Sequence, residues 1–201
     1  MAEKANESIR TICLERLRKD WRFAHLPKEQ QKALIEQSIQ FGEEKARQIK
    51  AALLRVNGET LHCLCAQRGV QVVNLETKYD LPYIAEYVPC KKTINLYTRR
   101  IREMQARLEQ RHPKYFQARS LTEMCLAHEF FHYLECQQNG AVGKIICSQV
   151  THSAFFARTH YFEEGSEIAA HSFVTALLEL DFSTYGFADE AQRGEKNGDG
   201  I

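Results

Sequence analysis

The sequence contains no long hydrophobic run and no excess of charge of either sign. Its 27 Lys and Arg residues nearly balance 26 Asp and Glu residues, for a formal net charge of +1. Charge therefore gives no reason to expect nucleic acid or a membrane surface as a partner. No stretch approaches the roughly 20 apolar residues of a membrane span, and the polar residues 1–10 do not resemble a signal peptide. We expect a cytoplasmic protein that contacts neither nucleic acid nor a membrane directly.

The sequence also lacks the even set of cysteines that a disulfide framework needs. It has 7 Cys and no export signal, so we expect free thiols in a reducing compartment. Cys63 and Cys65 form C-x-C, not the C-x-x-C of zinc knuckles and redox motifs, which argues against a metal site there. Cys125 lies three residues before His128 and could lie near a metal, but the pattern favours a small buried hydrophobic side chain.

The spacing of apolar residues predicts a mainly helical α+β fold. At 201 residues the chain is long enough for one domain with a hydrophobic core and short for two. Helical spacing of apolar residues predicts helices at 7–20, 28–55, 59–68, 98–112, 120–137 and 163–180. Runs of β-branched and aromatic residues predict strands at 70–73, 83–88 and 93–97. The sum is an α+β pattern with a small, about three-stranded sheet.

Three parts of the chain are expected to differ in role. Residues 1–57 form a helical N-terminal segment packed on the core, and residues 58–190 form the main domain. Residues 191–201 are rich in Gly, Lys, Asp and Glu and are expected to form a flexible tail. The sequence contains no internal repeat and gives no indication of the oligomeric state.

The clearest chemical motif is H-E-x-x-H, from His128 to His132 inside the predicted helix 120–137. Residues four apart lie on one helical face, so both imidazoles can reach one metal ion. Glu129 lies about 100° further round the helix, where it can miss the metal yet reach a water on it. Zinc lowers the pKa of such a water towards ~7, and the carboxylate can take its proton. The motif predicts zinc ligands at His128 and His132 and a catalytic general base at Glu129.

Two histidines do not complete the site, because catalytic zinc uses three protein ligands and keeps one position open. The third His of the metzincin pattern is absent, and the next His after His132 is His152. A carboxylate from a later helix is the other common solution. Three candidates stand near the start of the helix predicted at 163–180, namely Glu163, Glu164 and Glu167.

A helical wheel favours Glu167 among these three. The predicted helix 163–180 repeats the layout of the motif helix, with Glu167 at the border of its apolar arc. Packing the two helices on their apolar arcs would bring Glu167 towards the two histidines. Glu163 and Glu164 are expected instead to interact with the helix dipole. His171, one turn beyond Glu167, is a candidate to hydrogen-bond a metal ligand without binding the metal.

These landmarks resemble the ImmA/IrrE-type zinc metallopeptidases of bacteria and their mobile elements. The resemblance covers about residues 59–180. Its motifs are Gly69-Val70-Gln71-Val72, Lys92-Thr93-Ile94-Asn95-Leu96, Leu126-Ala127-His128-Glu129-Phe130-Phe131-His132-Tyr133 and Glu167-Ile168-Ala169-Ala170-His171-Ser172-Phe173. The resemblance implies a zincin-like core with zinc held by His128, His132 and Glu167 and with Glu129 as base. It also implies cytosolic action, often against a helix-turn-helix transcriptional repressor.

The chain departs from that family pattern at several positions. His171 stands where members usually carry Asn, and Phe131 replaces a small residue before the second motif His. The Met-Pro pair that usually follows the two Leu residues is absent, because Glu179 comes next. These departures weaken the inference about the substrate more than the inference about the metal site.

Three functions are compatible with the motif. The first is an active zinc endopeptidase with a protein substrate, favoured because a pure binding site needs no base at Glu129. The second is a metal-binding regulatory protein whose site is retained but not hydrolytic, and the third is a helical module with a chance motif. A His, His and Glu set suits zinc, although manganese or iron could also occupy it. The residue that stabilises the oxyanion is left open among His152, His160 and Tyr161.

Overall fold

The structure, a computed structural model, describes residues 2–54, 60–79, 81–138, 142, 147–153 and 156–187. Side chains are described for residues 9–54, 60–79, 81–138, 142 and 162–187. The predicted tail, residues 191–201, lies outside these ranges. Among the helices described, none combines the length and the apolar character needed to cross a membrane.

The fold is α+β and mostly helical, which confirms the predicted fold class. The helices are α1 (Ala2–Leu17), α2 (Trp21–Ala24), α3 (Lys28–Leu54), α4 (Leu61–Gln67), α5 (Thr98–Arg111), α6 (Leu121–Gln137) and α7 (Glu164–Leu178). The strands are β1 (Gln71–Leu75), β2 (Ala85–Val88), β3 (Thr93–Tyr97), β4 (Cys147–Ser153) and β5 (Phe156–Tyr161).

The prediction of one helix over residues 7–20 is wrong about its end. Helix α1 ends at Leu17, and the separate short helix α2 begins at Trp21. Asp20 lies between them, and its carboxylate accepts a hydrogen bond from the backbone N–H of Arg22 at 2.9 Å. An Asp in this N-cap position stabilises a new helix start rather than the continuation of the previous helix.

The three-stranded sheet has the order β1-β3-β2 and is mixed. Strand β3 runs parallel to β1 and antiparallel to β2, with Tyr87 paired to Ile94 and Val72 also paired to Ile94 from the other side. Helix α6 packs against β2 and β3. Strand β2 is therefore an edge strand on the side of the sheet nearest the motif helix.

A second, two-stranded sheet was not predicted from the sequence. Strands β4 and β5 pair antiparallel, with Gln149 opposite Thr159 and Val150 opposite Arg158. Most residues of β4 are polar, so the strand lacks the alternation of apolar and polar residues that predicts a half-buried strand.

Helix α6 begins where its sequence predicts. The hydroxyl of Ser120 accepts a hydrogen bond from the backbone N–H of Glu123, and the carboxylate of Glu123 accepts one from the backbone N–H of Ser120. This reciprocal capping box fixes the first turn of the helix. From that start the helix buries Ala127, Phe130 and Phe131, so the motif histidines are carried on the border of its apolar face.

Helix α7 packs very closely on α3, which belongs to the predicted N-terminal segment. Gly42 of α3 lies against the backbone of Ala169 and Phe173 of α7, so a Cβ atom at Gly42 would collide with the Ala169 carbonyl oxygen. Only glycine permits this backbone approach. The N-terminal segment thus fixes the position of the helix that carries Glu167.

We predict that Gly42→Ala lowers the free energy of unfolding by about 1–3 kcal/mol, because the added methyl overpacks a backbone contact. This loss outweighs the roughly 1 kcal/mol by which alanine favours a helix over glycine. Urea denaturation measures the difference. Gln37→Ala, at an exposed position of the same helix, serves as the control and should stay within about 0.5 kcal/mol of the unsubstituted protein. A Gly42→Ala protein as stable as the parent would contradict the close approach.

Candidate metal centre

Two packed helices bring the predicted metal-binding residues together. Helix α6 carries His128 and His132 one turn apart, and α7 carries Glu167 in its first turn. The helices meet through buried aromatic residues, with the rings of Phe131 and Phe173 5.4 Å apart. Because this contact lies one residue before His132, it sets the distance between the histidines and the carboxylate of Glu167.

The donor atoms of these three residues lie at nearly equal separations. His128 Nε2 and His132 Nε2 are 3.1 Å apart. The carboxylate oxygens of Glu167 lie 3.3 Å from His128 Nε2 and 3.4 Å from His132 Nε2. Donors that share one tetrahedral ion at bond lengths of about 2.0–2.1 Å are separated by roughly 3.3–3.4 Å. The observed separations, which involve Oε2 of Glu167 towards His128 and Oε1 towards His132, are close to those of ligands that share one small cation.

His171 adds a second, overlapping set of donors. His128, Glu167 and His171 offer donor atoms within 4.8 Å of one another, and this group could hold a metal ion. The two sets share His128 and Glu167 and differ in their third residue, His132 or His171. The ring of His171 lies 4.6 Å from that of His128.

A polar partner of His171 is Thr184, which lies outside the two packed helices. The Nδ1 of His171 lies 2.6 Å from Thr184 Oγ1, in the segment that follows α7. Its ring also meets the ring of Tyr185 edge-on at 5.1 Å. Burial, together with the nearby His128, lowers the pKa of His171 well below its ordinary value. A neutral imidazole is thus held by Thr184 and Tyr185 against the side of His128.

The charges in the site favour a cation between the donors. Burial disfavours a charged imidazole at His132, but hydrogen bonds to Glu135 and Glu167 outweigh it and raise the pKa of His132 to about 10. Burial also disfavours a charged carboxylate at Glu167, yet His128 and His132 hold its pKa far below the ordinary value. Two carboxylates, those of Glu135 and Glu167, therefore stabilise positive charge at His132.

Glu135 is a site residue that the sequence analysis missed. Its buried carboxylate lies 2.8 Å from His132 Nδ1 and accepts a hydrogen bond of 2.5 Å from the hydroxyl of Ser166. A carboxylate on one ring nitrogen fixes the tautomer and leaves the other nitrogen, Nε2, for a metal. The sequence spacing could have predicted this contact, because a residue three positions after His132 lies on the same face of the helix.

His128, His132 and Glu167 line a large cleft with a volume of about 980 Å³. Glu129 also lines this cleft, half-buried, beside His128. Residues of edge strand β2 and of α5 also line the cleft. Arg16 at the end of α1 lines the cleft as well, so the N-terminal segment contributes directly to the surroundings of the site.

The other two glutamates of the α7 start lie elsewhere. The carboxylate of Glu164 accepts a hydrogen bond from the hydroxyl of Tyr185 and lies 3.5 Å from the guanidinium of Arg16. Glu163 is exposed. Glu164 therefore ties α1 and the segment after α7 to the start of α7, a role beyond the expected interaction with the helix dipole.

The six described cysteines are free thiols, as predicted. Cys125 is buried and lines the cleft, and burial raises the pKa of its thiol. The thiol form of a small buried side chain is the form expected there. The side chains of the three residues considered for oxyanion stabilisation, His152, His160 and Tyr161, lie outside the described part of the structure.

Comparisons with known proteins do not add a family assignment. No family model matches the chain, and the comparisons with curated proteins and with solved structures gave no significant match. The resemblance to ImmA/IrrE-type peptidases stays a prediction from motifs. The functional inference below therefore depends on the geometry of the site.

We predict that Glu135→Gln weakens zinc binding by about 10- to 100-fold, because the ring of His132 loses the carboxylate that orients it. Competition with a chromogenic zinc chelator measures the affinity. Gln137→Ala, an exposed change on the same helix, is the control and should leave the affinity unchanged. Equal zinc affinity in Glu135→Gln and the parent would show that the contact has no part in metal binding.

Proposed function

We propose that this protein is a zinc-dependent endopeptidase that hydrolyses a peptide bond in a protein substrate. The observation that carries the proposal is the convergence of His128, His132 and Glu167 within 3.1–3.4 Å. A further carboxylate, that of Glu129, faces the same cleft. Three protein ligands with an adjacent unbound carboxylate are the composition of a catalytic rather than a structural zinc site.

The two histidines and Glu167 would hold the metal through His128 Nε2, His132 Nε2 and the Glu167 carboxylate. Two imidazoles and one carboxylate are a donor set that suits zinc. When bound, a zinc ion polarises a carbonyl group and makes water more acidic. Glu135 keeps His132 oriented for this role through its bond to Nδ1.

Glu129 is the proposed general base. It lines the cleft and lies about 100° round the helix from His128. Its carboxylate would accept a proton from the attacking water and return it to the nitrogen of the leaving amine. This transfer leaves Glu129 unchanged after each cycle, as a catalyst requires.

The edge strand that lines the cleft favours a peptide as the substrate. Within the described part of the chain, strand β2 pairs with β3 alone, and it lines the cleft. The free edge of such a strand can form backbone hydrogen bonds with an extended peptide. An extended backbone along β2 would pass beside the donors on α6.

The resemblance of the motifs adds an expectation about the substrate and the compartment. In ImmA/IrrE-type peptidases the substrate is often a helix-turn-helix repressor, and we propose such a cytoplasmic transcriptional repressor as the first substrate class to test. Direct binding of nucleic acid is not part of the proposal, because the formal net charge is only +1.

We predict that Glu129→Gln keeps zinc but lowers the rate of peptide hydrolysis by at least about 100-fold, because the amide cannot take the proton. The measurement is cleavage of a denatured, unfolded test protein by the zinc-loaded chain, followed by mass spectrometry of the fragments. Zinc content is determined on the same samples.

Glu123→Gln is the matched control, since Glu123 lies on the same helix but in its capping box. It should lower stability and leave the rate per folded molecule unchanged. Full activity in Glu129→Gln would remove Glu129 as the base. Stoichiometric zinc without hydrolysis in the parent chain would instead support a metal-binding regulatory protein.

A further inference from the structure

One face of α6 forms a floor that leads away from the proposed metal ligands. Leu121, Met124, Cys125 and His128 all line the cleft, and their spacing of three and four residues places them on one side of the helix. From His128 back to Leu121 this floor is about 10 Å long, at 1.5 Å per helical residue. Apart from His128, its side chains are apolar or weakly polar.

One face of α5 forms a charged wall beside this floor. Arg100, Glu103, Met104 and Arg107 line the cleft, again with the spacing of a single helical face. The wall carries two guanidinium groups and one carboxylate, with Arg100 and Glu103 3.8 Å apart. Two of the three charged side chains that α5 contributes to the lining are therefore positive, in contrast to the carboxylates near the ligand histidines.

A hydrogen bond joins α5 to α6 where the wall meets the floor. The side-chain oxygen of Gln105 on α5 accepts a hydrogen bond from the backbone N–H of Leu121 at 3.0 Å. This N–H belongs to the first turn of α6, which has no partner within its own helix. The bond sets α5 against the start of α6 and so defines the width of this end of the cleft.

We propose that this wall is a subsite for an acidic side chain of an extended peptide, bound within about three residues of the bond that is cleaved. The inference rests on the proposed peptidase function and adds the class of substrate. An extended peptide advances about 3.3 Å per residue, so the 10 Å floor takes roughly three residues. The segment carries Asp or Glu towards α5 and apolar side chains towards α6.

Arginine chemistry suits this assignment. A guanidinium presents five N–H donors in a planar fork that matches a carboxylate. It can bind a substrate carboxylate while it keeps bonds to the protein, so the subsite does not require an unoccupied arginine. A lysine in the same substrate position is disfavoured, because it would face like charge.

The test uses binding, so that it does not depend on turnover. Tripeptide amides of alanine are prepared with Asp, Asn or Lys at each position in turn, and with a thiol at either the amino or the carboxyl end. The thiol anchors each probe on zinc, which binds thiolates well, and the two series extend in opposite directions along the cleft. Affinities are measured by calorimetry on zinc-loaded Glu129→Gln, which removes hydrolysis.

We expect one position in one series to favour Asp over Asn by about tenfold, and Asn over Lys, as charge-assisted hydrogen bonds to arginine require. The double variant Arg100→Gln/Arg107→Gln should abolish this preference. Arg102→Gln should retain it, because Arg102 is 67% exposed and pairs with Glu76 at 2.6 Å on another face of α5.

Three other outcomes overturn the inference in distinguishable ways. Tight binding of all probes with no preference for Asp would contradict the acidic subsite and would still agree with the proposed metal site. A preference that survives in Arg100→Gln/Arg107→Gln would move the subsite away from α5. Failure of every thiol probe to bind the zinc-loaded protein would contradict the open metal position of the proposed function, and the subsite with it.

Discussion

The site depends on where α7 lies between α3 and α6. Glu167 is two residues from Ala169, at which α7 touches Gly42 of α3, and α7 also packs through Phe173 on Phe131 of α6. Both contacts are buried and tightly packed, and such packing does not deform gradually. Because α7 is fixed on two sides, its first turn delivers a carboxylate to within 3.4 Å of two imidazoles that belong to another helix.

Polar contacts around these donors also orient the histidine side chains. Glu135 and Ser166 form a chain of hydrogen bonds that joins α6 and α7 directly behind His132. On the other side, Thr184 holds His171 against His128. The histidines are thus oriented from both sides by groups outside the set of donors, which is the arrangement that preorganises a metal site.

The sequence predicts the features whose causes are local. The spacing from His128 to His132 and the apolar arc around Glu167 predict which donors the structure brings together. The apolar spacing that predicts a helix at 120–137 places the start of α6 within one residue of Leu121. Two other features, which arise from tertiary contacts, were not predicted. Glu135 acquires its role only when Ser166 of α7 lies against it, and the β4–β5 pair forms from polar segments without a clear strand pattern.

The most direct test of the account is the zinc content of three purified proteins, measured by elemental mass spectrometry after loading with zinc and removal of the excess. The parent chain and Glu163→Ala, an exposed change beside α7, should each retain about one zinc per molecule, as a three-ligand site requires. Glu167→Ala, which lacks one of the three converging donors, should lose most of it. Undiminished zinc in Glu167→Ala, or none in the parent chain, would contradict the proposed centre of His128, His132 and Glu167.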